Sequence, residues 1–172
     1  MRVQNVFLLV AALAASGPAI AGCGVASTYL NVAQVNAVFA GNYACGKSSK
    51  LDPPGWNERH LANGSVEEQH EGGATVKTVG TWAVNNVGGR GRVAYSYVPG
   101  GAAPVYEVAR VSDSEPCQGA ACTTLPQTYQ FCGVGGGAPA VLNIYVSTTF
   151  QAPSFNNATK SWVMNANCPA NP

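Results

Sequence analysis

All six cysteines of this 172-residue chain (Cys23, Cys45, Cys117, Cys122, Cys132 and Cys168) lie after Ala21. In an exported protein an even cysteine set reads as a disulfide framework, and a chain so stapled needs no large helical core. The first 21 residues supply the export reading. Arg2 and the amino terminus carry positive charge, Val6 to Ala15 are apolar, and Ala19-Ile20-Ala21 offers small residues at the cleavage-defining positions. A membrane anchor needs about 20 apolar residues, more than this stretch holds. The expectation is a signal peptide over 1–21 and a single secreted β domain over 22–172, secreted or periplasmic. Ile20-Ala21-Gly22-Cys23 also resembles a bacterial lipobox. Lipidation of Cys23 would make an outer-membrane lipoprotein, the one case in which membrane contact is expected. It would also strand one thiol among the remaining five, which favours free export.

The mature segment reads as β. Val76 to Val84, Arg92 to Val98, Val105 to Val111, Thr128 to Cys132, Ala140 to Phe150 and Ser161 to Met164 are short runs rich in β-branched and aromatic residues. Turn clusters such as Asn85 to Gly89, Pro99-Gly100-Gly101 and Gly133 to Gly137 divide them. Ser27 to Ala40 is the one helix-like stretch, capped by Ser27 or Thr28 and stopped at Gly41-Asn42. The fold expected is all-β: a small antiparallel meander, closed as a barrel or paired as a sandwich, with one short N-terminal helix and disulfide staples. The expected staples are Cys117–Cys122, Cys45–Cys132 and Cys23–Cys168. Alternation puts Val93, Tyr95 and Tyr97 on one face, and Leu142, Ile144 and Val146 opposite Asn143, Tyr145 and Ser147. An exposed sheet face bearing Tyr and Asn is therefore expected.

Charge excludes several functions. Only 10% of residues are charged and the net charge is +1, so no nucleic-acid footprint exists, and 47% hydrophobic content excludes wholesale disorder. The polar residues concentrate between Asp52 and Glu71, where Glu58, His60, Glu67, Glu68 and His70 gather. Asn63-Gly64 is the favoured pair for a type I′ hairpin. Such a turn would place His60 opposite Glu67 and Arg59 opposite Glu68, with His70 on the other face. His60, Glu67 and His70 are then the candidates for a metal site or an acid/base pair. A solvated hairpin is the preferred reading. A helical turn from Asp52-Pro53 to Asn63-Gly64, stacking Trp56 over His60, is the local alternative. No Gly-x-Ser-x-Gly occurs, no catalytic residue is assigned, and no cofactor or metal is expected.

Aromatic residues carry the binding reading. Trp56, Trp82, Tyr95, Tyr97 and Tyr145 combine apolar bodies with polar tips and are the candidate ligand-binding set. The leading expectation is non-enzymatic binding of a small molecule, glycan or protein partner on an aromatic-bearing sheet face. A structural subunit that self-associates through open strand edges is the alternative. A hydrolase or metalloenzyme built on His60, Glu67 and His70 comes third.

Gly80-Thr81-Trp82 resembles the Gly-x-Trp element of calycin-type barrels, the lipocalins and avidins, although it lies mid-chain here. A wider set is similar to small uncharacterised exported β-domain proteins of proteobacteria. It comprises Gly41 to Cys45, Trp56 with His60, Val79 to Trp82, Val93 to Tyr97, and Tyr129 to Gly133. That likeness implies a secreted β domain from a Gram-negative bacterium and no particular activity.

Overall fold

The computed structural model describes Cys23 and residues 29–48, 55–69, 75–97, 100–101, 103–111 and 122–170. The signal segment, His70 and Cys117 lie outside them. Eight strands run in chain order: β1 (Tyr43–Gly46), β2 (Trp56–His60), β3 (Ser65–Gln69), β4 (Thr75–Val87), β5 (Arg90–Tyr97), β6 (Val105–Arg110), β7 (Gln127–Gly135) and β8 (Val141–Ser147). Each pairs antiparallel with the next, and β8 returns to β1 through Tyr43↔Ser147 and Cys45↔Tyr145. The sheet is thus a closed up-and-down barrel, the architecture that the calycin likeness implies. Closure pairs every barrel strand with two neighbours, so the barrel itself has no edge strand.

Inward positions follow the period of two. Val93 and Tyr95, Tyr106 and Val108, Tyr129 and Phe131, and Ile144 and Val146 are all buried. α1 (Val32–Phe39) covers one end and contributes Val35, Val38 and Phe39 to the same core. Its cap is Asn31 and not Ser27 or Thr28, so it starts about one turn later than the sequence suggests. Leu30 is held in the sheet, its N–H donating to Val108 O and its carbonyl accepting from Gly91 N–H. Asn31 is the cap, with Asn31 Oδ1 accepting from Gln34 N–H and Gln34 Oε1 accepting from Asn31 N–H. The helix docks closely because Gly91 lacks a side chain; a Cβ there would lie 2.7 Å from Val35 Cγ2.

After the barrel, β9 (Ser154–Asn156) and β10 (Ser161–Val163) form a separate hairpin. The run expected around Ser161 is therefore a strand, but one outside the barrel wall. Its ring pair, Phe155 and Trp162, packs edge-to-face at 5.3 Å.

The cysteine pairing differs from expectation. Cys45 joins Cys168 and Cys23 joins Cys132, with Cα–Cα distances of 5.4 and 5.6 Å. Cys45–Cys132 cannot form because β8 lies between β1 and β7. Two strand spacings amount to about 9 Å or more, beyond the roughly 7 Å that a disulfide spans. With Cys132 engaged by Cys23, the chain's tail closes onto β1 instead. Cys122 is also disulfide-bonded, while the expected Cys117–Cys122 staple falls outside the described residues.

Candidate functional site

The β2–β3 hairpin decides which polar side chains enter the barrel. Leu61 N–H donates to Ser65 O at 2.9 Å and Gly64 N–H donates to Leu61 O at 3.0 Å. Gly64 takes φ +87°, so the loop has three residues and ends in a left-handed glycine. The two-residue turn expected from Asn63-Gly64 does not form, and every pairing shifts by one. His60 faces Val66, Arg59 faces Glu67, and Glu58 faces Glu68. The helical alternative is also excluded, since Trp56 to His60 is a strand. Trp56, Glu58 and His60 still share a face through the strand period, and that face is the inside.

His60 is consequently a core residue and not part of a solvated hairpin. It is 1% exposed, with edge-on rings of Phe39, Trp82 and Tyr95 at 5.3, 5.4 and 5.6 Å. Nε2 lies 2.8 Å from the Tyr95 hydroxyl, and Nδ1 has no hydrogen-bond partner among the described residues. Burial lowers its pKa to about 3, so the imidazole is neutral. Glu67 belongs to the opposite face from His60, and His70 lies outside the described residues. The structure therefore does not bring His60 and Glu67 together. Among the described residues no group of three His, Cys, Asp or Glu gathers at metal-binding range.

Toward the end away from α1, the interior opens into a cavity of about 200 Å³. Its wall takes Trp56 and Glu58 from β2, Tyr95 and Tyr97 from β5, Tyr106 from β6 and Phe131 from β7. Leu142 and Ile144 of β8 complete it. The Tyr95 and Tyr97 rings stack at 5.6 Å with planes 5° apart, and Tyr106 lies 5.0 Å from Phe131. Burial pushes the Tyr95 and Tyr97 phenols far up and Tyr106 to about 12, so all three are neutral donors.

Glu58 is the acid on this wall. Tyr97 donates to Glu58 Oε2 at 3.3 Å. Burial raises the carboxyl pKa to about 7; the Tyr97 bond opposes that shift and the Glu68 charge adds to it. Glu58 therefore changes charge near neutrality while open to the cavity.

Of the five aromatic residues singled out in the sequence, Trp56, Tyr95 and Tyr97 line this cavity. They do so on the inner face of the sheet and not on an exposed one. Trp82 packs deeper, against His60, and its indole N–H donates to Leu61 O at 2.9 Å. Tyr145 points outward and packs on the small cluster of Cys45, Met164 and Cys168. Glu58, Tyr106, Phe131, Leu142 and Ile144 were not among the candidate ligand-binding residues. For Glu58 the signal was present, because it alternates between Trp56 and His60. The chain matches no protein-family model, no curated protein and no solved structure.

Proposed function

We propose that this protein is an exported, non-enzymatic binder that holds a small molecule inside its barrel. The observation that carries the reading is the 200 Å³ aromatic-lined cavity at the end opposite α1. A few convergent polar groups in an otherwise apolar hollow are the usual make-up of a ligand site. Here the polar groups are Glu58 and the hydroxyls of Tyr97 and Tyr106. A cavity of about 150 Å³ is enough for benzene, so this one suits a ligand of roughly five to ten heavy atoms. Disulfides on both termini suit an oxidising compartment, periplasmic or extracellular.

The test uses methyl-labelled protein and small probes: benzene, indole, cyclohexanol and choline. At least one is expected to shift the Ile144 and Leu142 methyl resonances saturably. Leu142→Trp, which fills the hollow from its rim, is expected to abolish that shift. Failure of every probe to move the Ile144 methyl overturns the reading.

A further inference from the structure

Among the described residues, the cavity wall carries one carboxyl group and no basic side chain. Among the described residues, the partners of Glu58 across the sheet and inside the cavity are neutral or acidic. Across β1 its partner is Ala44, and across β3 it is Glu68. The Tyr97, Tyr95 and Tyr106 phenols are neutral, and His60, two residues along β2, is held neutral by burial. Of the nearby cations among the described residues, Lys77 pairs with Glu68 at 3.5 Å and is 65% exposed, and Arg59 lies over the Tyr43 ring at 5.4 Å. A carboxylate has about four acceptor sites, and among the described residues this one receives a single phenol donor.

A ligand cation would supply the charge that the wall lacks. The remaining wall suits the same charge: Trp56, Tyr97, Tyr106 and Phe131 offer aromatic rings, whose faces attract cations most strongly where water is excluded. An anion would meet Glu58 directly and be repelled. A neutral ligand could donate at most a hydrogen bond to Glu58 and would leave its charge uncompensated.

We propose that the cavity takes an organic cation, a protonated amine or quaternary ammonium of about five to ten heavy atoms, with its charge against Glu58 and its body among the rings. This rests on the reading of the cavity as the ligand site. Because a proton and the ligand compete for the same carboxylate, binding of a non-titrating cation tightens as pH rises and releases a proton at low pH.

The experiment compares choline with 3,3-dimethylbutan-1-ol, its neutral carbon isostere, by titration against the Ile144 and Leu142 methyl signals. It is run at about pH 5.5 and about pH 8.5, on either side of the Glu58 titration. Choline is expected to bind about tenfold or more tighter than the isostere at the higher pH. It should weaken about tenfold or more at the lower pH, while the isostere stays constant. Glu58→Gln is expected to reduce choline to about the affinity that the isostere has for the same variant, with native-like methyl spectra showing that the variant is folded. Equal binding of the two compounds, or choline affinity unaffected by Glu58→Gln, overturns the cation preference and leaves the cavity reading standing. If neither compound moves the methyl signals of the native protein, the cation proposal falls. The cavity reading then depends on the uncharged probes.

Discussion

Tyr97 donates its phenolic hydrogen to Glu58 Oε2 across 3.3 Å, joining β5 to β2 inside the barrel. This one bond does not offset burial, and the carboxyl pKa rises from 4.5 to about 7. The folded chain therefore keeps a proton that the unfolded chain gives up near its ordinary value. The stability from this group is present in full below about pH 4.5 and is lost as pH rises to about 7, a fall of roughly 3 kcal/mol. Glu58→Gln keeps an acceptor for Tyr97 and carries no charge. The variant is expected to be more stable than the native chain at pH 8, by urea denaturation. Equal or lower stability there would refute a buried, charge-starved Glu58.

His60 has the opposite sign. Its pKa falls from 6.5 to about 3, so the unfolded chain takes up a proton that the fold refuses. Its contribution is complete above about pH 6.5 and declines as pH drops toward 3. Between about pH 4.5 and 6.5 the two groups cancel, and the native chain should show little slope from them. Glu58→Gln uncovers the His60 term, and stability across that window is expected to rise by about 1 kcal/mol per pH unit. A flat curve for the variant would mean that His60 is not excluded from water.

The disulfides tie both ends of the chain to the barrel wall, over sequence separations of 123 and 109. Opening such long loops is expected to cost about 2–5 kcal/mol each. Cys45→Ala/Cys168→Ala should lower the denaturation free energy by that order. Peptide mapping of unreduced protein should recover Cys45 with Cys168 and Cys23 with Cys132. A peptide joining Cys45 to Cys132 would contradict the strand order itself.

Strand content was legible because β4 to β8 are runs of six or more residues rich in β-branched and aromatic side chains, and β4, β5 and β7 end at glycine or proline clusters. Barrel closure was not. It depends on β1, four residues of Tyr-Ala-Cys-Gly whose small side chains carry little β signal. Tyr95 and Tyr97 were legible as a shared face, with Trp56 in the same candidate set. The side on which they lie was not, since Tyr and Trp suit a wet surface as well as a core. The Glu58 role was hidden for a related reason: an acid among Asn57, Arg59 and Glu67 reads as surface until the hairpin register is known. Pairing of the terminal cysteines depends on which strand lies between which, a topological fact that spacing does not carry.

That register hangs on Gly64. Its φ of +87° lies in the left-handed region, and a Cβ there would sit 3.2 Å from Trp82 O. Gly64→Ala is expected to cost about 1–2 kcal/mol from the backbone alone. Asn tolerates this conformation better than Ala, so Gly64→Asn should fall between Ala and the native residue. Slippage to a two-residue turn offers no relief. It would move His60 opposite Glu67, turning Val66 outward and carrying the Glu67 carboxylate into the core. Both variants should therefore keep the native register, with the His60–Val66 and Arg59–Glu67 cross-strand NOEs intact. Denaturant midpoints ordered native, Asn, Ala would support the three-residue loop. An Ala variant as stable as the native chain would mean that Gly64 does not adopt positive φ, and the inward placement of Glu58 and His60 would lose its basis.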